Sequence, residues 1–287
     1  MDWNDLRRSE NVEDERGNGE GRAFRGALPF GLGGLVVVVV GSLLFGLNPL
    51  QILRLLSGGG GQTPSHVQTS PPPNDTTADF VRAVLGDTED TWQQIFRHQR
   101  GTPYQEPTLV LFQGGIDSAC GFAETAVGPF YCPRDAKVYL DMRFFHAIQA
   151  AAGPDADFAR AYAIAHEVGH HVQHLLGIFA KVWQTQGRAD QTTANRLSVW
   201  RELQADCFAG VWGHHTAERG RINHQDVATA LQTATQIGDD YVQRRARGTV
   251  APETFTHGSS QQRVHWFQQG LTSGDMRQCD TFAAQQP

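Results

Sequence analysis

Cysteine is scarce in this chain: four residues among 287, at positions 120, 132, 207 and 279. No two of them form a C-x-x-C pair, which argues against a zinc ribbon built from cysteine alone. Basic charge is also in short supply. Lys and Arg number 24 against 30 Asp and Glu, the net charge is −6, and no long basic run occurs. Phosphate backbones are held by clustered Lys and Arg, so nucleic acid is not expected as a partner. No internal repeat is present. What remains is a chain long enough for one domain of about 200 residues with a substantial core, plus extra segments.

The segments differ in composition. Residues 1–27 are polar and of mixed charge and read as a short disordered tail. Residues 28–47 carry no charge and contain the run Val36–Val40. Twenty such residues match the roughly 30 Å core of a bilayer and exceed the apolar part of a signal peptide, so a retained transmembrane anchor is expected. Several arginines precede it and Arg54 alone follows closely. That bias predicts a cytoplasmic N-terminus and an extracytoplasmic body, a single-pass protein of the cell's inner membrane. Residues 48–73, with Gly58–Gly61 and Pro71–Pro73, read as a flexible linker, and the domain is placed at 74–287. Within it a helix is expected near 78–97, strands at 108–112, 129–132 and 137–141, then helices near 155–176, 191–215, 225–245 and 260–269. Gly177 and Ser259 or Ser260 stand where caps belong. A few strands followed by helices is an α+β pattern, mostly helical with a small sheet.

The decisive residues are His166-Glu167-Val168-Gly169-His170. Residues four apart lie one above the other on a helix, so both imidazoles can reach one ion. The Glu between them can take a proton from a metal-bound water. Ala161, Ile164, Ala165, Val168, Val172, Leu175 and Leu176 form an apolar stripe on nearly the opposite side, so the helix can bury that face and present His166 and His170 to a cleft. Catalytic zinc keeps three protein ligands and one open position. Glu202 is the candidate third ligand, with Asp206 one turn on to orient a ligand histidine. Both acids lie among Trp200, Leu203, Cys207, Phe208, Val211 and Trp212, where an unpartnered carboxylate is costly.

With H-E-x-x-H followed by Glu202-x-x-x-Asp206, the chain resembles the gluzincin peptidases. More narrowly it resembles the bacterial neutral zinc metallopeptidase family, from about residue 114 to 267. The segments that carry the likeness include Gly128–Pro133, Val138–Asp141, the helix HEVGHHVQ, Glu202–Gly210, His257-Gly258-Ser259 and Arg263. The spacing departs from the thermolysin pattern: 31 residues separate His170 from Glu202, with 187–194 filling the extra length. The resemblance implies a zincin-like peptidase fold, an active-site helix under a small sheet, and Zn²⁺ as cofactor.

The expected activity is peptide-bond hydrolysis, with Glu167 as base and a peptide or protein of the cell envelope as substrate. Lys137–Asp141 is the candidate edge strand for an extended substrate. The other reading is a zinc-binding envelope interaction module without turnover. His257 is the candidate donor to the oxyanion. An even number of cysteines in a chain that meets a membrane suggests disulfides, with free thiols as the alternative. The expected pairs are Cys120–Cys132, closing a short loop, and Cys207–Cys279, tying the second metal-site helix to the C-terminal tail.

Overall fold

The structure, a computed structural model, describes residues 1–16, 75–124, 128–152 and 156–283. The expected anchor at 28–47 and linker at 48–73 lie outside the described residues. Among the described residues no helix is long and apolar enough to cross a membrane. The chain is α+β and mostly helical. In order it forms β1 (Val12–Asp14), α1 (Thr76–Ile95) with a π turn at Phe96–Arg100, β2 (Thr108–Phe112), β3 (Gly115–Ser118), β4 (Gly121–Glu124), β5 (Phe130–Cys132) and β6 (Lys137–Asp141). There follow α2 (Met142–Ala152), α3 (Ala156–Leu175), α4 (Ile178–Gln186), α5 (Gln191–Glu218), α6 (His224–Gln236), α7 (Asp239–Arg247) and α8 (Ser260–Ser273).

One sheet has the order β1-β2-β6-β5, parallel except for the β5–β6 pair, and β3–β4 is a separate hairpin. The two-residue period of the strands divides its faces. Leu109, Leu111, Val138 and Leu140 join the core formed with the helices, whereas Val110, Phe112, Cys132 and Tyr139 pack with Ile116 and Phe130. The expected edge strand at 137–141 is therefore wrong. Its β6 hydrogen-bonds to neighbours on both sides, and Val138 to Asp141 are buried. An extended ligand would meet β5 or β1 instead.

Residues 1–16 also depart from expectation, for they are no disordered tail. Their charges have buried or half-buried partners. Glu89, fully buried on α1, accepts hydrogen bonds from Ser9 Oγ at 2.6 Å, Arg7 at 2.7 Å and Asn11 Nδ2 at 2.9 Å. Leaving such a carboxylate unpaired would be costly, so the arm is part of what lets α1 be buried. A Cβ on Gly86 would stand 2.5 Å from the Arg7 carbonyl oxygen, so α1 has no room for a side chain where the arm crosses. Val12 then pairs with Leu109 in the sheet, and Trp3 Nε1 donates to Asp157 of α3 at 3.1 Å. Paired into the same sheet, the arm and the body fold together.

The expected helix over 225–245 breaks at Gly238. A Cβ there would lie 2.1 Å from the Ser260 nitrogen, so the chain turns tightly against the start of α8. Gly177 caps α3 in the left-handed conformation, and Ser259 caps α8 in a capping box with Gln262.

Candidate metal centre

The expected apolar stripe on α3 packs into the core: Ala161, Ile164, Ala165, Val168 and Val172 are all buried. The opposite face turns to α5. Gly169 sets how closely the two helices approach, since a Cβ there would lie 2.9 Å from the Ala205 carbonyl oxygen. This contact brings His166 and His170 of α3 to Glu202 of α5. The Nε2 atoms of His166 and His170 lie 3.2 and 3.3 Å from Glu202 Oε2. One ligand atom from each of the three residues lies within 4.8 Å of the others, and all three residues are buried. The connection between the two helices holds a helix of its own, α4, in addition to the expected filler at 187–194.

The nitrogens on the far side of both imidazoles are anchored. His166 Nδ1 lies 2.9 Å from Asp206 Oδ1, and that carboxylate also accepts from Arg263 Nε at 2.7 Å and from the Tyr162 hydroxyl. A carboxylate only accepts, so His166 Nδ1 carries the proton and Nε2 is free to ligate. His170 Nδ1 lies 2.9 Å from Gln173 Oε1, which is likewise an acceptor. Gln173 is held in turn by its amide, which donates to the Arg201 carbonyl at 2.6 Å and to Gln204 Oε1 at 3.1 Å. Glu202 Oε1 accepts from Arg201 at 3.1 Å, leaving Oε2 to face the histidines. Two oriented imidazole nitrogens and a carboxylate oxygen fit zinc with an open fourth position.

Charge follows this geometry. Burial pushes Asp206 up, but Arg263 and His166 outweigh it and hold the carboxyl at about 2. Burial pulls His166 down, yet Asp206 and Glu202 raise it, in the metal-free protein, to about 10. Burial also pushes Glu202 up, but the neighbouring imidazoles and Arg201 carry it well below the usual carboxylate range.

Glu167 is buried beside the ligands, and its carboxylate makes no hydrogen bond among the described residues. Burial raises its pKa. His257 lies outside the cluster on the loop between α7 and α8, with its side chain 48% exposed. Asp239 organises that loop. One carboxylate oxygen accepts from the backbone N–H groups of Thr256, His257 and Gly258 at 2.7, 2.7 and 3.2 Å, and the other lies 3.3 Å from His257 Nδ1. Gly258 leans on α5, where a Cβ would meet Leu203 at 3.0 Å, next to Glu202.

Both expected disulfides are present. Cys120–Cys132 ties the β3–β4 hairpin to β5, and Cys207–Cys279 ties α5 to the chain after α8. His171 takes no part in the cluster. Its Nε2 donates to the Gln105 carbonyl at 2.6 Å, and the Tyr131 hydroxyl lies 3.1 Å from its Nδ1. Gln173, Tyr162 and the role of Arg263 went unassigned in the sequence. Gln173 had one available signal, its position three residues after His170 on the ligand face.

A profile of the family described as "putative neutral zinc metallopeptidase" matches residues 1–282, a span that includes the N-terminal arm. The uncharacterized protein YpfJ of Escherichia coli K12 is 45% identical over 285 residues, covering 98% of this chain and 99% of that protein. The uncharacterized protein Rv2575 of Mycobacterium tuberculosis is 40% identical over 193 residues, covering 63% of this chain and 64% of that protein. No solved structure matches the chain.

Proposed function

Because the chain belongs to the neutral zinc metallopeptidase family, we propose that it hydrolyses peptide bonds, with His166, His170 and Glu202 holding the zinc. Zinc bound there would supply a Lewis acid for the peptide carbonyl and lower the pKa of a water to about 7. Glu167 takes a proton from the attacking water as the water oxygen bonds to the carbonyl carbon. It then returns the proton to the amide nitrogen as the C–N bond breaks. The observation that carries this reading is the Glu167 carboxylate, buried beside three convergent ligands and hydrogen-bonded to no other side chain among the described residues. A purely structural zinc site has a use for a fourth protein ligand and none for a free base. Hydrolysis of casein that a chelator abolishes and added zinc restores is expected. Tight zinc binding without turnover of casein or mixed peptides would favour the interaction module.

His257 is the donor to the oxyanion in this reading. Asp239 accepts at Nδ1, so the free position is Nε2. Burial lowers the pKa of this imidazole, and the Asp239 carboxylate at Nδ1 opposes that and favours the imidazolium, whose Nε2–H can donate. His257→Ala should lower kcat by roughly 10²–10³, the effect of losing one such donor. Zinc content and Tm should stay near wild type. A fall in stability in proportion to activity would make His257 a structural residue of its loop.

The body is proposed to work outside the cytoplasm on a peptide or protein of the cell envelope, held at the bilayer by residues 28–47. Two disulfides support an oxidising compartment. Because β1 of the arm pairs with β2 of the body, the arm is proposed to lie on that side too, with residues 28–47 holding the bilayer rather than crossing it once. Single cysteines in place of the exposed residues Asn4 and Gln191 should both react with a membrane-impermeant maleimide in spheroplasts. Labelling at position 4 only after permeabilisation would contradict the shared compartment.

A further inference from the structure

A second cluster lies at the C-terminal end of α5, beyond the candidate metal centre near the middle of that helix. His214, His215 and Glu218 each place one ligand atom within 4.8 Å of the others. The two rings meet edge to face, 5.2 Å between centroids, and are roughly three-quarters buried. Their orientation is fixed from behind. His214 Nδ1 lies 2.8 Å from the Leu271 carbonyl oxygen, and His215 Nε2 lies 3.1 Å from the Gly274 carbonyl oxygen. Gly274 itself has φ +62°, and a Cβ there would stand 2.3 Å from His214 Cδ2, so the turn after α8 closes directly onto the ring.

Backbone carbonyls only accept, so His214 Nδ1 and His215 Nε2 carry the ring protons. In the neutral rings, His214 Nε2 and His215 Nδ1 therefore present lone pairs. Both point at Glu218: His214 Nε2 lies 3.5 Å from Oε1 and His215 Nδ1 lies 3.0 Å from Oε2. Two lone pairs and a carboxylate facing one another need positive charge between them. The carbonyl end of α5 adds negative potential at the same place, since Glu218 is its last residue. Each imidazole has a backbone carbonyl behind it, the arrangement that fixes ligand histidines.

We propose that His214 Nε2, His215 Nδ1 and the Glu218 carboxylate form a second metal site for a borderline divalent transition ion such as zinc, nickel or cobalt. A nitrogen-rich, partly exposed set of three suits those ions over calcium or magnesium. Its two imidazoles are tied to Leu271 and Gly274, so a bound ion clamps α5 to the end of α8, just ahead of the Cys279 that is disulfide-bonded to α5. The site stands on its own geometry and needs no catalytic activity.

The test is titration of the metal-free full chain with Co²⁺ or Zn²⁺, followed by calorimetry and thermal melting. Wild type should take up two equivalents, the second raising Tm further. Glu218→Gln, a change at an exposed carboxylate that leaves both rings in place, should weaken the second equivalent by about 10-fold or more and remove its Tm increment. His215→Ala should do the same, while both variants keep the first equivalent. His166→Ala should lose the tight equivalent and keep this one. A single equivalent in wild type, or a second equivalent unchanged in both Glu218→Gln and His215→Ala, would overturn the site.

Discussion

Glu167→Gln should reduce peptide hydrolysis by roughly 10²–10⁴-fold, the usual contribution of a positioned general base, while zinc stays stoichiometric. The amide keeps the size of the carboxylate and removes only its capacity to take a proton. Neither of its neighbours depends on it. His166 is held by Asp206 and His170 by Gln173, so the ligand frame survives the change. Zinc content by metal analysis and initial rates on a verified substrate separate the two effects. Ordinary rates in Glu167→Gln would remove Glu167 from the mechanism, and loss of zinc would make it a structural part of the site.

His166→Ala should lose both zinc and activity, a larger effect than that of Asp206→Ala, which removes only the group behind the ligand and should cost about 10–100-fold in affinity. The pH dependence of zinc binding follows from the same contacts. In the metal-free protein the His166 imidazole is raised to about 10, so it is protonated at pH 7. Zinc must displace that proton, and apparent affinity should rise with pH, about tenfold per unit for one proton released, levelling off near pH 10. Calorimetry in buffers of different ionisation enthalpy counts the proton directly. Affinity independent of pH between 6 and 8 would mean that Asp206 does not hold the imidazole charged.

How much of this was legible in the sequence depended on the range of the contact. That His166 and His170 share a face follows from helical periodicity, because i and i+4 align whatever else the chain does, whereas Glu202 reaches them only through the close packing of α3 on α5 at Gly169. Asp206 lies one turn after Glu202 by the same periodicity. Gln173 sat on that face too but carries no charge to mark it. Tyr162 and Arg263 meet Asp206 only because α3, α5 and α8 pack closely. A Cβ on Gly270 would lie 1.9 Å from the Cys207 carbonyl oxygen, a contact between residues 63 positions apart that no local pattern encodes. The disulfides were within reach because four cysteines allow few pairings.

The arm was misread for a physical reason. Arg7, Ser9 and Asn11 look solvated until Glu89 is seen to be buried on α1; helical spacing sets Glu89 beside the apolar stripe of Leu85 and Trp92, but nothing local says which groups pair with its carboxylate. Strand order is similarly non-local. The sequence of β6 reads as well for an edge as for the interior strand it proves to be.

The claim that this site hydrolyses peptide bonds is tested most directly by mass spectrometry of a mixed peptide library, incubated with the zinc-loaded full chain in ¹⁸O-water. The account predicts new C-termini carrying one ¹⁸O, dependent on zinc and absent with Glu167→Gln. Stoichiometric zinc with no new termini across the library would contradict it and leave a zinc-binding protein without proteolytic turnover.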